Sequence, residues 1–237
     1  MIPVLRGGLK RHGHHVLAPA EHVRSADGTP FERLGAGDPV VVIGGATCDR
    51  ARTRPLADVL ARQFTVLNYD RRGRGDSGDT LPYSIERELE DLDALIAEAG
   101  GRASVYGHSS GAGLALRAAA HGVPIHKLVL HDAPYGTGSA EEQRDAREYG
   151  TQLRTLLADG PRRRDQAVHA DRRECPRRRS TVCGRVPGSP PLEALAPTLA
   201  YDSEVMGDIS SRGSVTSDLV ARATPPTPVL AEFLAQT

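Results

Sequence analysis

The chain has 237 residues, enough to bury one sizeable core, and its 30 Lys+Arg balance 30 Asp+Glu to a formal net charge of zero. A neutral chain sets up no global field toward nucleic acid or anionic membrane, and 4% aromatic residues with no Trp leave few stacking platforms. Cys48, Cys175 and Cys183 share no metal-like spacing and cannot all pair; with no apolar run of signal-peptide or membrane-spanning length, the expected compartment is the cytoplasm.

Residues 1–22 read as an irregular basic leader, whose His12, His14, His15 and His22 have no carboxylate or thiolate placed to complete a metal site. Val23-Arg24-Ser25 and Phe31-Glu32-Arg33-Leu34 then form a hairpin around Asp27-Gly28. Pro39 to Ile43 is β-branched without polar alternation, which predicts a strand covered on both faces. Gly44-Gly45-Ala46-Thr47 ends it, a helix is expected near Pro55 to Arg62, and Phe64 to Asn68 is the next buried strand. A turn-rich loop, residues 70–79, precedes Ile85, Leu89, Leu92, Leu95 and Ile96 at helical spacing, with Ser84 as the N-cap. Ala103 to Tyr106 and Lys127 to His131 are further strands. Strands alternating with helices predict an α/β fold, a mostly parallel central sheet with flanking helices.

Between the last two strands stands Gly107-His108-Ser109-Ser110-Gly111, a G-x-S-x-G pentapeptide where a strand becomes a helix. Such a turn strains the serine and projects its hydroxyl, with the following helix's N–H groups beneath it. Gly44-Gly45-Ala46, Asp70-x-Arg72-Gly73-x-Gly75-x-Ser77 and this elbow, in that order over roughly residues 23–135, resemble the α/β-hydrolase superfamily, in particular the small hydrolases of high-GC actinobacteria. The resemblance implies Ser109 as nucleophile and the backbone N–H groups of Ala46 and Ser110 as the oxyanion hole. It also implies a small-molecule, ester-like substrate attacked through an acyl-enzyme, with no cofactor or metal. The arginines and aspartates of residues 70–77 are expected to tie their own turn together and to take no part in chemistry.

The superfamily places an acid after its sixth or seventh strand and a histidine after its eighth. Asp132 follows the Lys127–His131 strand and is the candidate acid, with capping of the next loop as the alternative. His131 beside it is expected to point to the opposite side, as neighbours on a strand do. His108 is read as pocket wall. His121 and His126 are placed at the far end of the sheet, and the last histidine in the chain is His169. Thr227-Pro228-Val229-Leu230 reads as a fragment of the seventh strand and Ala231 to Ala235 as a helical stub, so the segment carrying the late acid and base is read as missing.

The chain therefore divides into the leader, a core at 23–135, a cap-like region at 136–210 and a shortened core remnant at 211–237. Within the cap, residues 141–158, Leu192 to Ala196 and Tyr201 to Asp208 suit helices, whereas residues 161–185 carry nine arginines and scarcely any apolar residue. Without interleaved aromatics this run is read as a solvated insertion and not as a nucleic-acid or membrane arm. A frame-shifted reading of GC-rich DNA has this composition; another frame across codons 161–190 is then expected to encode apolar cap helices. Two readings stand: a serine hydrolase of the carboxylesterase type, and a catalytically impaired relative that at most binds a small ligand. Oligomeric state is not fixed by the sequence.

Overall fold

Alternating valines place β3 (Pro39–Ile43) at the middle of a seven-stranded sheet, sending Val40 and Val42 to one face and Val41 and Ile43 to the other. A computed structural model describes residues 20–133, 140–158, 166–167, 191–206 and 220–223. The sheet comprises β1 (Glu21–Arg24), β2 (Pro30–Leu34), β3, β4 (Thr65–Tyr69), β5 (Ala103–His108), β6 (Ile125–His131) and β7 (Val220–Ala223), in the order β1-β2-β4-β3-β5-β6-β7. β1 and β2 pair antiparallel and β2 pairs antiparallel with β4, while every pairing from β4 to β7 is parallel. At the hairpin turn Gly28 adopts φ 91°, and the Asp27 carboxylate accepts from the Ser25 hydroxyl at 2.5 Å and from the Thr29 amide at 3.1 Å.

Helix α1 (Arg50–Leu60) covers the Val40/Val42 face through Ala57 and Leu60. Helices α2 (Ile85–Glu98) and α3 (Ser110–Ala120) cover the other face through Leu89, Leu92, Leu95, Ile96, Leu114 and Ala118. Helix α1 begins upstream of the expected start near Pro55, because the Asp49 side chain caps it by accepting from the Arg52 amide at 3.1 Å. Ser84 does precede α2, but its hydroxyl donates to the Glu86 carboxylate and caps no backbone N–H. The cap-like region contributes α4 (Ala140–Ala158), α5 (Leu192–Leu195) and α6 (Leu199–Met206). A strand beside β6 is present at residues 220–223; the leader ends earlier than residue 22, since Glu21 and His22 already belong to β1, while residues 1–19, the fragment expected at 227–230, the helical stub after it and nearly all of the arginine-rich run lie outside the described residues.

One buried carboxyl gives this core a pH signature. Asp91 on α2 is 3% exposed and accepts from Arg72 at 2.7 Å. Burial pushes its pKa up to about 7; Arg72 opposes this, and the neighbouring Asp27 carboxylate adds to it. A raised acid keeps its proton in the folded state while the unfolded chain has already released it, so stability falls as pH rises from about 4 to about 7. Asp91→Asn is expected to remove that decline, and urea unfolding of parent and variant at pH 5 and pH 7.5 checks it. A parent with no extra loss over that window relative to Asp91→Asn contradicts it.

Candidate active site

From β3 the chain crosses to β4 on one side, and from β5 it crosses to β6 on the other. The winding therefore reverses between the carboxyl ends of β3 and β5, where open α/β sheets form their ligand crevice. Pairing of Ile43 with Gly107 brings the turn at residues 44–47 and the elbow out side by side.

At the elbow Ser109 has φ 55° and ψ −121°, a conformation that non-glycine residues rarely hold, and it stands directly before the first turn of α3. Its backbone N–H donates to the carbonyl of His131 at 2.8 Å, which pins the elbow to β6. The flanking glycines are required for space. A Cβ on Gly107 would lie 2.5 Å from the Gly111 carbonyl oxygen, and one on Gly111 would lie 2.6 Å from the carbonyl oxygens of both Ile43 and Gly44. A Cβ on Gly45 would lie 3.0 Å from the Ser109 Cβ, so this turn packs directly on the serine. Ser109 is 5% exposed, Ala46 is 7% exposed and Ser110 is fully buried. Ala46 also belongs to a small apolar cluster with Leu153 of α4 and Leu199 of α6, so the cap-like helices rest on the turn that carries it.

His108 and His131 are opposite each other in the β5–β6 register, with ring centroids 5.0 Å apart. The Tyr106 hydroxyl is hydrogen-bonded to His131 Nδ1, and His131 Nε2 lies 3.9 Å from the Asp132 carboxylate. The expectation that His131 and Asp132 diverge therefore fails. Side chains alternate only while the backbone is extended, and Asp132, at φ 47°, has already left the strand. The Asp132 side chain is 67% exposed. Burial lowers the half-buried His131 below the usual histidine range, with Asp132 opposing. His121 closes the far end of α3 and His126 lies at the far end of β6, both away from the elbow. His169 lies outside the described residues.

Beneath the elbow is a buried cluster that the sequence reading missed. Arg71, Arg74, Glu88 and Asp202 are each at most 5% exposed. Arg71 makes a two-pronged pair with Glu88, both bonds 2.7 Å, and donates to Asp202 at 2.8 Å. Arg74 donates to both Asp202 oxygens at 2.8 and 2.9 Å and to the Gly45 carbonyl at 2.6 Å. The Ser110 hydroxyl donates to Asp202 at 2.7 Å, and Tyr83 donates to Glu88 at 2.7 Å. Burial alone would raise the Asp202 and Glu88 carboxyls, but the two guanidinium groups hold both below the usual carboxylate range. Two cations facing two carboxylates leave no net charge here for an anionic ligand.

The loop of residues 70–79 therefore does more than brace itself. Asp70 does tie the turn, accepting from the amides of Arg50 at 2.7 Å and Asp76 at 3.0 Å, but Arg71 and Arg74 reach the elbow and α6. A signal was present in the sequence: Asp202 stands three residues from both Leu199 and Val205, a carboxylate on the apolar stripe of a helix.

The model of the alpha/beta hydrolase family matches residues 24–234, and the chain belongs to that family. It is 38% identical to the crystal structure of an alpha/beta hydrolase from Sphaerobacter thermophilus, with a TM-score of 0.69 over 90% of this chain and 99% of that one. Over 104 residues it is 36% identical to N-formylmaleamate deformylase of Pseudomonas putida, covering 42% of this chain and 39% of the deformylase. Over 107 residues it is 30% identical to the hydrolase YraK of Bacillus subtilis, covering 43% and 40%. These matches thus span well under half of each curated relative. No helix among the described residues is long and apolar enough to cross a membrane.

Proposed function

We propose that this chain is a serine hydrolase of small carboxylic esters, with Ser109 as nucleophile and the N–H groups of Ala46 and Ser110 as oxyanion donors. The observation that carries this reading is the strained Ser109 at the head of α3 with the turn of residues 44–47 packed on its Cβ. Attack breaks the Ser109 O–H bond, its proton passing to solvent, and forms a bond from Oγ to the carbonyl carbon; the oxyanion draws on the two N–H donors and the positive end of α3. Collapse breaks the ester C–O bond, the leaving oxygen takes a proton from solvent and departs as the alcohol, and water then cleaves the acyl-enzyme. Asp132, beside His131 at this end of the sheet, is the candidate acid. The deformylase named above cleaves an acyl–nitrogen bond by its name, which extends the substrate class to activated amides. The cytoplasm remains our expected compartment, on the cysteine pattern of the sequence.

A second reading has its own observation: within these 237 residues no histidine follows His169, whereas the superfamily draws its base from after the late strands. Serine and oxyanion donors without an aligned base retain only ~10³–10⁴ of rate over water. Stopped-flow release of nitrophenol from p-nitrophenyl acetate separates the readings. The hydrolase reading predicts a burst of one equivalent per chain followed by turnover, with both phases absent in Ser109→Ala. A burst without turnover marks a relative impaired at deacylation, and neither phase in a folded parent contradicts the ester-hydrolase reading and leaves the relative that at most binds a small ligand.

A further inference from the structure

We propose that Arg74 and Asp202 are positioning residues that set both oxyanion donors, so that docking of α6 from the cap-like region completes the oxyanion hole. This rests on the reading of Ala46 and Ser110 given above.

The carbonyl of Gly45 and the N–H of Ala46 belong to one planar peptide and point in opposite directions. Arg74 Nη1 donates to that carbonyl at 2.6 Å, and the Cys48 amide donates to it at 3.2 Å. Holding the carbonyl down toward the buried arginine turns the Ala46 N–H the other way. The second donor is fixed through its side chain: Ser110 Oγ donates to Asp202 Oδ1 at 2.7 Å, at the first residue of α3. Asp202 Oδ1 also accepts from Arg71 and Arg74, each at 2.8 Å, so one carboxylate links the two donor-bearing segments.

That carboxylate arrives on α6, which is locked to the core at three further points. Tyr201 stacks on Tyr83 with centroids 4.1 Å apart, its hydroxyl donates to Asp79 at 2.6 Å, and Arg117 of α3 donates to the Val205 carbonyl at 2.7 Å. Since the cluster is electrically balanced, its contribution is direction and rigidity and not attraction of a charged substrate. Bonds to ionised partners in a dry site are short and strong, which suits them to holding a peptide plane.

Asp202→Asn and Ser110→Ala test this with two readouts, neither of which moves through a loss of global stability alone. The first is the amide ¹⁵N order parameter. In the parent, the Ala46 and Ser110 amides are expected in the rigid range near ~0.85. In Asp202→Asn both are expected to drop toward ~0.6 while those of Val41 and Val105 stay put; in Ser110→Ala only residue 110 loosens. The second is inactivation by a fluorophosphonate, in which Ser109 Oγ bonds to phosphorus, fluoride leaves and the hydroxyl proton passes to solvent. Its limiting rate is expected to fall about 10- to 100-fold in Asp202→Asn with the half-saturating concentration unchanged, since loss of one donor outright costs ~10²–10³. Folded variants that keep both amides as rigid as the parent overturn the proposal. Where Asp202→Asn does not fold, Ser110→Ala decides the Ser110 donor, by an amide at residue 110 that loosens or does not, and Arg74→Gln decides the Ala46 donor in the same way. A parent that takes no label while its variants loosen sinks the nucleophile reading and leaves the positioning role standing.

Discussion

Gly111→Ala is expected to destabilise the protein by about 2–3 kcal/mol, against the direction that helix propensity dictates. Gly111 occupies the first turn of α3, where alanine is ordinarily preferred over glycine by up to ~1 kcal/mol. Its φ is not in the left-handed region, so the cost comes from space alone. An added methyl would sit 2.6 Å from two carbonyl oxygens at the end of β3, and backbone atoms at the centre of a sheet cannot step aside as a flexible side chain can. Gly122→Ala is the control: at φ 84° with nothing within 4 Å of its added Cβ, it is charged only the left-handed backbone term of ~1–2 kcal/mol. Urea denaturation of the three proteins gives the comparison. A Gly111→Ala protein as stable as the parent contradicts the close approach of β3 to the elbow.

Arg71→Ala is expected to cost about 3–5 kcal/mol, because it strips a fully buried cation from two fully buried carboxylates. Glu88 is left with Tyr83 and Asp202 with Arg74 and Ser110, each carboxylate losing at least one charged bond. The acid limb moves with it. In the parent, Glu88 and Asp202 have folded pKa values below their unfolded ones. Their stabilisation is complete above the unfolded value of about 4 and is lost as pH falls through the folded values. Removing Arg71 lets both rise, so the midpoint of acid unfolding is expected to shift to higher pH. Far-ultraviolet circular dichroism from pH 7 to pH 2 measures it, and an unshifted midpoint contradicts the assigned pairing.

The core was legible in the sequence because its signals are local and repeated. Val40 to Ile43, the helical spacing of Ile85 to Ile96, and a serine between two glycines each encode their own conformation within a few residues. Asp27-Gly28 set the hairpin for the same reason. What stayed hidden depends on contacts between distant segments. The Arg71–Asp202 and Ser110–Asp202 bonds join residues 131 and 92 positions apart, and no short pattern encodes such a meeting. The reading of residues 70–77 as self-bracing was right for Asp70 and failed for Arg71 and Arg74, whose long side chains leave the turn altogether. The approach of Asp132 to His131 was missed on a single backbone angle, since strand alternation was extended one residue past the point where the strand ends. Helix α1 starts upstream of the expected Pro55 because the Asp49 side chain caps its first turn, and proline is tolerated at its sixth residue.

The proposed role of Ser109 is that of an activated nucleophile. Its most direct test is fluorophosphonate treatment of the parent and of Ser109→Ala, followed by peptide mapping in the mass spectrometer. The reading predicts a single phosphonyl adduct on the peptide carrying Ser109 in the parent and none in Ser109→Ala. A parent folded by circular dichroism that takes no adduct, or an adduct that persists in Ser109→Ala, contradicts it.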